Sequence, residues 1–132
     1  MKFNSQICTS KSQSEQLLAL GLKKETADMT LQTALDVCYT MPFQEAIEYC
    51  GNRHLPPHPT ILPAWSLHRL IELCGIDRLP ICFGKKGRVR IRVNHIHPTH
   101  DGRSGYNHYD SLIDCIEWLI KEGHFNKEYL EE

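Results

Sequence analysis

Two segments of this chain, L-P-A-W-S-L-H-R-L-I-E-L-C-G at 62–75 and Y-D-S-L-I-D-C-I-E-W-L-I-K-E-G at 109–123, place apolar residues at helical spacing and close on glycine. Between them R-V-R-I-R at 88–92 puts an arginine on every second residue. A repeat of 3.6 cannot sit in a sheet, nor a repeat of two in a helix, so the chain must combine both elements. In the first segment Leu67, Leu70, Ile71 and Cys74 form the stripe, with Pro63 suited to the first turn and Gly75 to the end. In the second, Asp110 or Ser111 supplies the cap and Leu112, Ile113, Ile116, Leu119 and Ile120 the buried face.

A third helix is expected near the N-terminus. Ser10 and Gln13 fit a capping box, and Leu17, Leu18 and Leu20 give an apolar face. Gly21 suits the left-handed residue after the helix, with Leu22 folding back on Leu17. Residues 79–83 and 88–94, around Gly84-Lys85-Lys86-Gly87, read as a β-hairpin. Residues 30–52 match strand and helix patterns about equally. Four prolines (Pro56, Pro57, Pro59, Pro63) make 53–63 an extended connector or loop, because each removes a donor and restricts its predecessor. The histidine- and glycine-rich residues 95–107 read as a loop. The expectation is an α+β fold: a small antiparallel, mostly hairpin-built sheet packed by three amphipathic helices in one domain, 1–132.

At 132 residues the chain can bury one modest core. Its formal net charge of −1 steers it toward neither nucleic acid nor an anionic membrane, so any such binding needs a local patch. Cys8, Cys38, Cys50, Cys74, Cys82 and Cys115 are scattered, with no C-x-x-C pair. With no apolar leader in M-K-F-N-S-Q-I-C and no stretch long enough to span a bilayer, six reduced thiols in a cytoplasm are expected.

The strings I-C-T-S and L-L-A-L-G-L-K-K-E-T-A-D-M, then P-A-W-S-L-H-R-L-I-E-L, then L-I-D-C-I-E-W-L-I-K-E-G, occur in that order. Together they resemble a group of short uncharacterised proteins of gut bacterial genomes and their prophages or mobile elements. The resemblance covers roughly the first thirty residues and the two later helices, and implies helices flanking strands. It brings no catalytic residue with it.

Two constellations bear on function. His95, His97 and His100, with His108 a short distance on, follow the end of the expected strand. Their H-x-H-x-x-H spacing is similar to the H-x-H-x-D-H motif of metallo-β-lactamase-like hydrolases, and imidazoles so placed could hold zinc and a reactive water. Thr99 stands where that motif has aspartate, and the remaining chain is too short for that fold. A polar loop is the plainer reading. Cys50, His54 and His58 are spaced for one helical face, which Pro56, Pro57 and Pro59 forbid.

The second constellation is basic: Lys85, Lys86, Arg88, Arg90 and Arg92. It could track a phosphate backbone, or simply be the solvated side of an edge strand. Trp65 and Trp118 read as core residues that fix the helices. The sequence therefore leans away from an enzyme. It favours a non-catalytic accessory protein whose partner is another protein, with no cofactor and no membrane. Nucleic-acid binding through the arginine strand is one alternative, and a zinc hydrolase built on the His95 loop is the other.

The arginine alternative has a direct test. If Arg88, Arg90 and Arg92 bind nucleic acid, replacing all three with serine should reduce the log–log salt slope of binding by about two to three. Titrations of single- and double-stranded DNA and RNA at low salt check this, and absence of binding removes the alternative.

Overall fold

The computed structural model describes residues 6–52, 61–75, 81–83, 89–92, 99–101 and 107–131. For 50, 52 and the three strands between 81 and 101 it describes the backbone alone. Among these residues four helices and two three-stranded antiparallel sheets make an α+β fold. The contacts divide the chain into two compact units, Met1–Ser66 and Leu67–Glu132.

In the first unit α1 (Lys11–Ala19) begins and ends as its sequence dictates. Ser10 Oγ accepts from the Gln13 amide at 3.2 Å, and Gln13 Oε1 accepts from the Ser10 amide at 3.0 Å. Two donors that a helix start leaves orphaned are thus satisfied reciprocally. At the other end Gly21 takes φ +98°. This lets Leu22 N donate to Leu17 O at 3.2 Å and Gly21 N to Leu18 O at 3.0 Å. Leu17 and Leu22 are buried against this turn, completing a Schellman ending.

The undecided stretch resolves into both patterns. Strands β1 (Met29–Gln32) and β2 (Val37–Tyr39) form a hairpin, and α2 (Phe43–Asn52) follows Pro42. Pro42 lacks the amide that a continuing strand would need, yet its carbonyl accepts the Ala46 amide at 3.0 Å and starts the helix. Strand β3 (Ile61–Ala64) completes the sheet in the order β2-β1-β3.

Here the structure corrects the expectation for Pro63. It belongs to β3, in register with Thr30, and α3 (Leu67–Leu73) starts four residues later. Among the described residues β3 is an edge, where no second ladder needs the amide that proline lacks. Met29, Leu31, Ala64 and Cys8 form the buried cluster of this sheet, with Cys38 packed against it.

Trp65 closes the unit rather than opening a helix. Its indole is fully buried, and Nε1 donates to Thr26 Oγ1 at 3.0 Å. Its backbone pairs with Thr9: Thr9 N donates to Trp65 O at 2.9 Å, and Trp65 N donates to Thr9 Oγ1 at 3.0 Å. Asp28 accepts from both the amide and the hydroxyl of Ser66, at 2.9 and 2.5 Å.

In the second unit β4 (Ile81–Phe83), β5 (Val89–Arg92) and β6 (Thr99–Asp101) form a meander in the order β4-β5-β6. The hairpin was legible, whereas β6 arises inside the residues expected to be a loop. Its pairing partner is set by tertiary contact, which local polarity does not encode. Helix α4 (His108–Lys121) lies against α3, β5 and β6. Its cap is Asn107, three residues before the expected Asp110, whose own amide donates to Asn107 Oδ1 at 2.9 Å. Asp110 instead places its carboxylate in the first turn, where the helix dipole favours it. Leu112, Ile113, Cys115, Ile116 and Leu119 are buried, and Gly123 at φ +76° ends the helix.

Two substitutions test this packing. Ile116→Ala should cost about 2–4 kcal/mol in chemical denaturation, from lost burial plus the cavity left. Thr9→Val keeps the shape but leaves the buried Trp65 amide without its acceptor, and should cost about 1–3 kcal/mol. A midpoint unchanged within error would contradict either assignment.

Candidate binding edge on the first sheet

The residues singled out by sequence are distributed as follows. Lys85, Lys86, Arg88, His95 and His97 lie outside the described residues, as do His54 and His58. Arg90 and Arg92 sit on β5, the middle strand of its sheet. The edge-guard explanation for the arginines therefore does not hold, since β5 is paired on both sides. Arg90 is in register with Cys82 and Asp101, and Arg92 with Thr99. His100 is in register with Ile91, and His108 is the half-buried first residue of α4. Among the described residues, no three histidine, cysteine, aspartate or glutamate groups gather as a metal-ion site.

The cysteines require a correction. Cys8 and Cys38 are joined by a disulfide across 30 residues, with Cα atoms 6.7 Å apart. The spacing of the cysteines carries no framework signal because this pairing depends on the fold. Thr9–Trp65 brings the N-terminal segment against the sheet, and Leu31 pairs with Cys38 in register. The premise of six reduced thiols, on which the cytoplasmic expectation partly rested, falls with the bridge. In the chain-entropy account, closing such a loop contributes about 3–4 kcal/mol. Cys74 and Cys115 are buried thiols outside any disulfide. Burial, with the nearby Cys115 adding to it, pushes the Cys74 thiol well above its ordinary value. It stays protonated and poorly nucleophilic at neutral pH.

Beside the bridge, no described strand pairs with the outer side of β2. Among the described residues β2 pairs with β1 alone. Its side chains alternate as a strand requires: Cys38 turns inward, while Val37 and Tyr39 are 39% and 47% exposed. Leu35 at the hairpin tip is 68% exposed and Tyr49 on α2 is 48% exposed. Asp36, at φ +51°, takes the left-handed conformation that turns the tip into β2, which aspartate tolerates better than most side chains. A hollow of about 390 Å³ opens at the start of this strand, with Ile7, Cys8, Ser10, Leu31, Asp36 and Cys38 in its walls.

Along the chain, the stretch that contains β2 carries one sign of charge. From Glu25 to residue 52 the sequence contains Glu25, Asp28, Asp36, Glu45 and Glu48 and no lysine or arginine. Asp28 is engaged by Ser66, and the other four are exposed. None of these residues stood out in sequence as a site. The available signals were this run without a cation and the alternating V-C-Y, both obscured by equal helical spacing nearby.

No helix among the described residues is long and apolar enough to cross a membrane. Compared with protein-family models, with curated proteins and with solved structures, the chain matches none.

Proposed function

We propose that this is a non-catalytic interaction protein that binds an extended segment of a partner protein along β2. The observation that carries the reading is that β2, among the described residues, is an edge strand with Val37 and Tyr39 exposed. Natural sheets guard such edges with lysine, proline or a covering element, and 33–39 (T-A-L-D-V-C-Y) contains neither residue. A strand added to this edge would complete the backbone ladder, and its alternate side chains would meet Val37 and Tyr39.

Charge selects among partners. Exposed Asp36 at the start of β2, in a stretch with no cation between Lys24 and Arg53, disfavours a nucleic-acid backbone and favours a basic peptide. The partner is accordingly a protein segment that alternates apolar and basic residues. Leu35, at the hairpin tip that leads into β2, adds exposed apolar area beside the strand.

A defined probe tests this. Acetylated, amidated nonapeptides alternating valine with lysine, and matched peptides alternating valine with glutamate, are titrated into the isotope-labelled protein. The lysine peptide should shift the amides of 37–39 and weaken with salt, and the glutamate peptide should not bind. Tyr39→Lys should reduce affinity roughly tenfold, as loss of an interface anchor does. Equal binding of both peptides, shifts elsewhere, or concentration-dependent self-pairing through β2 would each overturn the proposed partner.

A further inference from the structure

The Cys8–Cys38 bridge joins two segments of unequal anchorage. On one side Thr9 and Ser10 are held without it: Thr9 pairs with Trp65 through two backbone-directed bonds, its hydroxyl meets Ser14 Oγ at 2.8 Å, and Ser10 closes the capping box. On the other side β2 is a three-residue strand paired with β1 alone among the described residues. It lies between an exposed turn and Met41, whose carbonyl accepts from Thr30 Oγ1 at 2.7 Å. A cross-link between a fixed point and a weakly held strand acts almost wholly on the strand. Breaking it leaves α1 and Trp65 in place and loosens β2.

Access is equally unequal. Cys8 is buried, Cys38 is only partly so, and the hollow of about 390 Å³ reaches both. Asp36 stands in the same wall, one position from the strand.

We infer that the Cys8–Cys38 disulfide is a redox latch on the binding edge: oxidised, it holds β2 in the conformation that accepts a partner strand; reduced, it releases it. This rests on the docking role of β2 proposed above. The reductant is a small thiol or a protein dithiol. Its thiolate attacks Cys38 Sγ, the more accessible sulfur, the S–S bond breaks, and the electron pair leaves on Cys8 Sγ, which takes a proton. A second thiolate attacks the reductant sulfur of the mixed disulfide, freeing Cys38 as a thiol. The protein gains two electrons and two protons, and two reductant thiols become one disulfide. Released, β2 populates its binding-competent form less, and apparent affinity falls by that fraction.

The test uses the whole chain in two states, equilibrated with oxidised or reduced glutathione and verified by differential alkylation of Cys8 and Cys38. Amide exchange at 37–39 should quicken about tenfold or more on reduction, well within what one cross-link contributes, while 11–19 and 65 stay unchanged. Affinity for the valine–lysine peptide should fall roughly tenfold, an ordinary coupling between two sites. Cys38→Ser should match the reduced protein and ignore glutathione. Cys8→Ser is the second variant should the first fail to fold. Unchanged exchange at 37–39, exchange quickened throughout the first unit, or failure of the two cysteines to cross-link would overturn the latch. Equal peptide affinity in both states would overturn it while leaving the docking role intact, whereas no peptide binding in either state would remove the docking role, with exchange still deciding the latch.

Discussion

The Thr9–Trp65 pairing is the joint on which the first half of the molecule depends. Two segments 56 residues apart meet there, backbone to backbone and backbone to hydroxyl, in a fully buried setting. In that environment an unmade hydrogen bond is expensive, so the pair behaves as an obligatory contact rather than one weak bond among many. It places Thr9 and, through it, its described neighbours Cys8 and Ser10. Ser10 reaches its capping position from Thr9, and Cys8 arrives beside Leu31 and Cys38. The indole extends the joint to Thr26, whose hydroxyl also donates to Lys23 O at 2.6 Å, fixing the entry to β1.

From that joint the character of the sheet follows. β1 is the protected centre, with Met29 and Leu31 buried and Thr30 bonded to Met41. β3 tolerates Pro63 because it is an edge, and α1 packs against it. β2 is the exception: short, outward-facing in its apolar side chains, and stapled at Cys38. A strand so placed loses the cohesion that protects β1, and it is where binding and local opening would be concentrated.

Legibility in the sequence followed the range of the interactions. The capping box at Ser10 and Gln13, the glycine endings at Gly21 and Gly123, the stripe of α4 and the β4–β5 hairpin are all local, and the residues alone indicate them. Helix α4 started earlier than expected only because Asn107 competes for the same cap that Asp110 could provide. What the residues did not disclose is non-local: β1 choosing β3 across α2, Pro63 at an edge, β6 pairing with β5, and Cys8 meeting Cys38. The candidate site fell in the undecided stretch for the same reason. Val37 and Tyr39 are informative only once β2 is known to be an edge, and the arginines lost their edge-strand reading once β5 proved central.

The claim that unites these observations is that β2 is an ordered but uncovered edge. Solvent paramagnetic relaxation, read at backbone amides of the oxidised protein with an inert soluble relaxation agent, tests it most directly. The account predicts strong relaxation at outward-directed amides within 37–39 and at Leu35, and weak relaxation throughout 29–32, with β2 retaining strand chemical shifts. Weak relaxation along the whole of 37–39 would mean that another part of the chain covers the edge, and would contradict the account.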